Sequence, residues 1–141
     1  MSKLARMHTA EHILSAVMRK FYGAPRNLEL HLGEKKTKCD YKVSHILTDK
    51  DIQQIESRVN QEIQKNYLVT HFFVPRAKAQ KFDLWKVPEE VEEIRIVKIG
   101  DFDEQPCKGP HVNHTLEVGT FKIISYEHRA NGRLRIRFKV L

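Results

Sequence analysis

Between Lys3 and Phe21 the apolar residues Ala10, Ile13, Leu14, Val17, Met18 and Phe21 recur at three- and four-residue spacing, the signature of one helical face. Gly23 and Pro25 close that helix. Two alternating segments follow, "NLELHLGE" and "KTKCDYKV", with "GEKK" as the turn of a hairpin. Thr48 stands as an N-cap ahead of Asp49 and Asp51. Ile52, Ile55, Val59 and Ile63 form the buried stripe of the second helix. "LVTHFFV" has the composition of a strand, and Ala77 to Trp85 has the length of a short helix. "EIRIVKIG", "GTFKIIS" and "LRIRFKV" are three further strand-like runs. Helices and strands mix without a regular βαβ alternation. The expected class is α+β, a single domain with an antiparallel-leaning sheet and helices packed on one face.

Length and composition narrow this reading. The 141 residues fit one domain spanning 1–141, and 40% hydrophobic residues suffice for one core. No apolar run approaches the ~20 residues of a membrane span. The opening "MSKLARMHTAEH" has no signal-peptide core, so a cytoplasmic location is expected. Cys39 and Cys107 do not make a disulfide framework. In a reducing compartment, a cysteine beside histidines is a ligand before it is half of a bridge. The formal net charge of +7 suits a polyanionic partner, nucleic acid first.

The chemistry concentrates in two short stretches. His8 and His12 sit one helical turn apart, where one ion can reach both imidazoles. With eight histidines in 141 positions, about 0.4 such pairs arise by chance, so the spacing alone is weak. On a helical wheel the apolar stripe lies roughly 160–180° from the pair, which makes a solvated surface pair the plain alternative. "DEQPCKGPHV" adds Cys107 and His111 at C-x3-H spacing, with Gly109 and Pro110 forming a tight turn. Three imidazoles and one thiolate are a typical zinc set. The bland alternative is a buried Cys107 and a His111 that ends a strand. "HTAEH" also reads H-x-x-E-H, the zinc signature of a class of metalloproteases. There Glu11 is the general base, Glu56 or Glu62 supplies a third ligand, and Cys107 and His111 have no role.

At these residues the chain resembles a known family. "HTAEHILSAVM", "VNQEI", "IRIVKIGDFDEQPCKGPHVNHTLEVGTFKI" and "NGRLRIRF" are similar to the editing domain of alanyl-tRNA synthetase. That domain also occurs free-standing in AlaX-type trans-editing proteins, and the second additional domain of threonyl-tRNA synthetase is related. The similarity is collinear over nearly the whole chain. It implies that His8, His12, Cys107 and His111 bind Zn2+, and that the activity is hydrolysis of mischarged tRNA. "KCDYKV" resembles the family's hydrophobic-Asp-aromatic strand, which places Asp40 near the site. The chain starts almost at the first ligand, so the short AlaX form is the expectation. The alanyl branch usually reads C-x-G-T-H-V, whereas "CKGPHV" is typical of the threonyl branch. Both branches commonly clear serine. Seryl-tRNA of alanine identity is therefore the first expectation and seryl-tRNA of threonine identity the second. A zinc-stabilised RNA-binding module without catalysis is the reading from another class.

The remaining site residues are weaker expectations. An aminoacyl ester needs a positioned water and stabilisation of the oxyanion, and zinc can serve either need. Glu11 is a candidate base, although its helical bearing points some 80–100° from both histidines. Lys108 is a candidate for the oxyanion or a phosphate. Thr9 is a candidate partner for a substrate hydroxyl. In the last strand Arg133, Arg135, Arg137 and Lys139 alternate with Leu134, Ile136, Phe138 and Val140, giving one basic and one apolar face. Such a strip can track phosphates, with Arg19 on the first helix as a further tRNA contact. The alternative is a charged wet face of a sheet. Nothing in the pattern sets an oligomeric state.

Overall fold

The computed structural model describes residues 2–141. Helix α1 runs Lys3–Tyr22. Ser2 caps its start, accepting the Ala5 N–H at 3.1 Å. Gly23 ends it in the left-handed region at φ 67°, with its N–H on the Met18 carbonyl. Helix α2, Asp49–Gln64, opens on a capping box in which Thr48 and Asp51 each receive the other's backbone N–H. The predicted stripe Ile52, Ile55, Val59 and Ile63 is buried.

Among the described residues, seven strands form two antiparallel sheets, whereas the sequence pattern implies one. The first holds β1 (Glu29–His31), β2 (Thr37–Lys42), β6 (Phe121–Arg129) and β7 (Arg133–Val140) in the order β1-β2-β7-β6. The second holds β3 (Val69–Pro75), β4 (Glu93–Ile99) and β5 (Asp103–Pro106) in that order. Strand β5 was not anticipated. Its four residues, "DEQP", carry no strand pattern. They are held by pairing with β4, Ile99 opposite Asp103 and Ile96 opposite Pro106. The helix expected over Ala77–Trp85 is only a 3-10 turn at Arg76–Lys78 followed by irregular turns. Ala79, Phe82 and Leu84 from that segment instead cover Ile94 and Ile96 on one face of β4.

The position of α1 decides the site. It packs against α2, against β7 of the first sheet and against β5 of the second. Every residue from Met7 to Met18 is buried. Ala10, Ile13, Leu14, Val17 and Met18 of the apolar stripe predicted from the sequence meet the main core, whereas Phe21, near the end of the helix, is 50% exposed and lies outside it. The polar face, which the helical wheel directed at solvent, is covered by the end of β5 and the loop after it. The solvated surface pair is therefore excluded: His8 is 9% and His12 0% exposed.

Candidate metal centre

His8 and His12 project from one face of α1 toward the loop that follows β5. That loop delivers Cys107 as soon as the strand ends and turns through Gly109 and Pro110 to His111. Cys107 Sγ lies 3.2 Å from His8 Nε2 and 3.4 Å from His111 Nε2. One ligand atom from each of the four side chains lies within 4.8 Å of all the others. An ion bound at about 2.1 Å to nitrogen and 2.3 Å to sulfur has tetrahedral edges of roughly 3.4–3.6 Å, so these separations match a shared ion. The imidazoles crowd at ring-centroid distances of 4.3–5.0 Å.

The unmet polar atoms fit the same conclusion. Both ring nitrogens of His12 and Nδ1 of His8 are buried without a hydrogen-bond partner. Buried polar groups are nearly always satisfied, so an orphaned imidazole facing a thiol and two more imidazoles marks a place for a cation. Burial, then the positive charge of Arg26, lowers the His8 pKa to about 4, and the nearby Pro110 carbonyl opposes that only in part. Burial and the neighbouring His8 lower His111 to about 3. His12 is held well below its ordinary value by burial, then by His111 and His8. All three rings are thus neutral bases near pH 7, the form that ligates metal. Burial raises the Cys107 thiol, and only the Gly109 N–H and nearby cations oppose it. An incoming ion must displace that proton.

A second layer fixes the ligands. Thr9 Oγ1 accepts the Val112 N–H at 3.2 Å and lies 2.9 Å from His111 Nδ1. With His111 Nε2 turned to the thiol, Nδ1 carries the proton and donates to Thr9, which orients the ring as outer-shell partners do. Thr9 is fully buried, and its hydroxyl is committed to His111 and Val112. Arg95 Nη1 donates to the carbonyls of Cys107 (2.9 Å) and Gly109 (3.0 Å), and the Arg95 carbonyl accepts the Cys107 N–H at 3.1 Å. Arg26 Nη2 donates to the Pro106 carbonyl at 2.8 Å. Gly109 lies so close to His8 that a Cβ there would sit 2.3 Å from the ring's Cε1. Sequence reasoning missed Arg26 and Arg95. One follows a helix cap and the other alternates in a strand, and neither pattern signals a loop clasp.

The other expected site residues are placed as follows. Glu11 is 3% exposed and not solvated. Its carboxylate accepts from Ser15 Oγ at 2.7 Å and Asn27 Nδ2 at 3.2 Å. Burial raises its pKa, opposed by the Ser15 hydrogen bond. It belongs to a buried polar network reaching Tyr41 and Cys39 and not to the four-ligand cluster. The metalloprotease arrangement is not assembled either. Glu56 accepts the Ile123 N–H, Glu62 is engaged by Tyr67 and Lys65, and Cys107 and His111 fill the cluster instead. Asp40 does not approach the histidines. It lies between the core-facing Cys39 and Tyr41 on β2 and so faces the opposite side of the sheet. There it takes Arg135 in a bidentate pair at 2.8 and 3.0 Å and Arg133 at 3.0 Å.

Those pairs change the reading of the basic strand. Arg133 and Arg135 are engaged by Asp40, and Arg137 by Glu127 at 3.1 Å. Of the strip, Lys139 alone takes part in no ion pair among the described residues. Arg19 pairs with buried Asp103 at 2.8 Å. The unspent positive charge lies elsewhere. A cleft of about 660 Å³ opens beside His8 and Cys107, and Arg26, Lys86, Arg95 and exposed Lys108 line it together with Phe73.

Fold and site together define a small α+β domain that closes three imidazoles and a thiol at the mouth of a cationic cleft. A family model described as "Threonyl and Alanyl tRNA synthetase second additional domain" matches residues 94–137. The chain is 34% identical to the alanine--tRNA ligase of Petrotoga mobilis over 132 residues, covering 92% of this chain and 15% of that protein. It is 34% identical to the alanine--tRNA ligase of Coxiella burnetii over 136 residues (94% and 16%). To the threonine--tRNA ligase of a Sulfurihydrogenibium species it is 33% identical over 133 residues (84% and 20%). The chain thus spans 15–20% of the length of these relatives. It belongs to the family of editing domains found in alanyl- and threonyl-tRNA synthetases. Among the described residues no helix is long and apolar enough to cross a membrane.

Proposed function

We infer that this chain acts as a free-standing, zinc-containing deacylase for mischarged tRNA, with seryl-tRNA of alanine identity as the first substrate and seryl-tRNA of threonine identity as the second. The observation that carries the reading is the four-ligand cluster at the mouth of a cationic cleft. The relation to synthetase editing domains supports it, as does the net charge of +7. A reducing, tRNA-containing cytoplasm is the matching compartment.

His8, His12, Cys107 and His111 would hold the ion. Bound zinc supplies a Lewis acid that eases ester hydrolysis or orients the substrate. The chain's own residues do the rest. Thr9 locks the His111 ring. Arg95 and Arg26 pin the carbonyls of the loop bearing Cys107, which keeps the ligand geometry tight. Arg26 and Lys108 bring positive charge to the cleft, where the acceptor end of a tRNA carries phosphates. Apolar Val87, Pro88 and Val91 on the cleft wall limit bulk water around the ester. Glu11, bound to Ser15 and Asn27, has a structural task in this scheme rather than that of the reacting base.

The test is deacylation by zinc-loaded protein of seryl-tRNA of alanine and of threonine identity, beside correctly charged alanyl-tRNA. Serine release with alanyl-tRNA spared is expected. No release from either seryl substrate, with zinc bound, defeats the assignment. Cys107→Ala or His111→Ala separates the enzyme from an RNA-binding module: lost deacylation with retained tRNA binding supports catalysis.

A further inference from the structure

We propose that the outer edge of β3 pairs with the same edge of a second copy of this chain, antiparallel and centred on Phe72, so that two three-stranded sheets join into one. The pairing stands on the strand's own geometry and does not depend on the editing reading.

Strand β3 lies at the edge of the second sheet, with β4 on one side. The Leu68 carbonyl accepts the Gly100 N–H, so even-numbered residues of this segment turn their backbone groups to β4 and odd-numbered ones turn theirs outward. At the start of the strand the outward Val69 N–H is taken by the Asn113 carbonyl at 2.8 Å. At its end the outward Pro75 has no N–H to give. Between them, the N–H and C=O groups of His71 and Phe73 meet no partner among the described residues. The other sheet edges are short or clasped, as edges usually are. On β6, Asn60 of α2 takes both backbone groups of Phe121, and Glu56 takes the Ile123 N–H. Strand β5 is four residues with two acids, its Pro106 carbonyl held by Arg26, and β1 is three residues. Strand β3 runs seven residues, "VTHFFVP", with no charge and no register shift, and Thr70 to Phe73 are exposed.

The register names the occupant. In an antiparallel pair, outward residues must face outward residues. With His71 of one copy opposite Phe73 of the other, the pair exchanges two hydrogen bonds, its symmetry mate two more, and every free group of His71 and Phe73 is met. A shift of two residues either way brings Val69 or Pro75 into the ladder. Neither has an N–H to offer, so a carbonyl on each chain stays unmet. The edge is therefore complementary to itself in one register, the condition for a two-fold interface. That register sets Phe72 against its own copy on the axis, as a close pair of aromatic rings. The axis stands normal to the sheet and keeps like faces together. Phe73 shares a face with Arg95 and lines the cleft beside the cluster, and His71 stands edge-on to it at a centroid distance of 6.2 Å. Both clefts then open on one side of the joined sheet, and each Phe73 gains the second copy's His71 as its cross-strand neighbour.

So small a seam belongs with transient contacts, so association is sought up to millimolar chain. Zinc-loaded, nuclease-treated full chain is taken through sedimentation equilibrium from micromolar to millimolar. A monomer–dimer equilibrium is expected. It should tighten with added salt, because two chains of net charge +7 repel, whereas association bridged by nucleic acid would loosen. In wild-type amide exchange, His71 and Phe73 should slow as concentration rises, while Thr70 and Phe72, already bonded to β4, hold constant. Phe72→Lys and Phe72→Glu should each weaken self-association roughly tenfold, through the lost ring pair and the like charges on the axis. Their equimolar mixture should restore it, since opposite charges then meet. A monomer at every concentration overturns the pairing and leaves the edge to an extended segment of another protein. A dimer whose His71 and Phe73 amides ignore concentration, or whose charge variants gain nothing on mixing, has its interface elsewhere and overturns the pairing too.

Discussion

Gly109→Ala isolates the contact between the ligand loop and the first helix. Gly109 does not adopt a left-handed backbone, so alanine introduces no conformational strain, and the N–H that reaches Cys107 Sγ at 3.4 Å is retained. The only new element is a methyl group. It would lie 2.3 Å from His8 Cε1 and 2.4 Å from Nδ1. Ordinary carbon contacts are about 3.5–4.0 Å, so the ring or the loop must retreat by roughly 1.2 Å or more. Helix α1 is packed on all sides, and Arg95 holds the Gly109 carbonyl, so neither partner yields freely. Metal ligands tolerate errors of only about 0.2 Å. Disturbing a layer that merely orients ligands already costs about 10–100-fold in affinity. Zinc affinity is therefore expected to fall at least tenfold, read by competition against a chromophoric chelator. The metal-free protein should also lose about 1–3 kcal/mol from overpacking. Lys108→Ala, one residue away and exposed, should leave zinc affinity within about twofold, since nothing in the orienting layer is touched. Wild-type zinc affinity in Gly109→Ala would refute the close approach of loop and helix from which the cluster is built.

Thr9→Val keeps the shape but leaves the Val112 N–H and His111 Nδ1–H without an acceptor. About tenfold weaker zinc binding and a stability loss of about 1–3 kcal/mol are expected, measured by chelator competition and urea denaturation. Stripping the metal should lower the melting temperature. With free zinc 100-fold above Kd the ion contributes about 2.7 kcal/mol, or about 10 °C for a chain of this size, and an unchanged melt after chelation would count against the ion. Burial raises the pKa of Asp40, but the hydrogen bond and charge of Arg135, with Arg133 behind it, outweigh that and hold it below its ordinary value. Its stabilisation is therefore complete above the unfolded pKa of about 3.9 and is lost as pH falls through the lower folded value. Asp40→Asn should cost about 3 kcal/mol at pH 7, the low end for a broken buried pair because Arg135 keeps Glu29 at 3.4 Å. Urea titrations should show the gap closing in strong acid, and a gap that stays constant with pH would contradict the pairing.

The local patterns were legible because they answer to local physics. A 3.6-residue apolar period, a Thr-x-x-Asp cap and a glycine after the last turn specify α1 and α2 from within their own residues. Period-two alternation does the same for β2, β4, β6 and β7. The four cluster residues were legible as two pairs, since His-x3-His and Cys-x3-His each carry their geometry in the spacing. Strand β5 was not, because two acids, a glutamine and a proline become a strand only by pairing with β4. The split into two sheets was also hidden, as pairing between distant strands is a tertiary choice.

The sequence by itself determined the class of fold, the two helices, the hairpin of β1 and β2, and which side chains were chemically fit to share an ion. The tertiary structure decided which faces are buried. A helical wheel assumes one wet side, but α1 lies between two sheets and α2, so its polar face became an interior and Glu11 and Thr9 became buried. It also decided which charges are free. The arginines of β7 are engaged by Asp40 and Glu127, while Arg26, unremarkable in the sequence, keeps an unspent donor at the cleft. Charge is a property of residues, but its availability depends on neighbours brought together from distant parts of the chain.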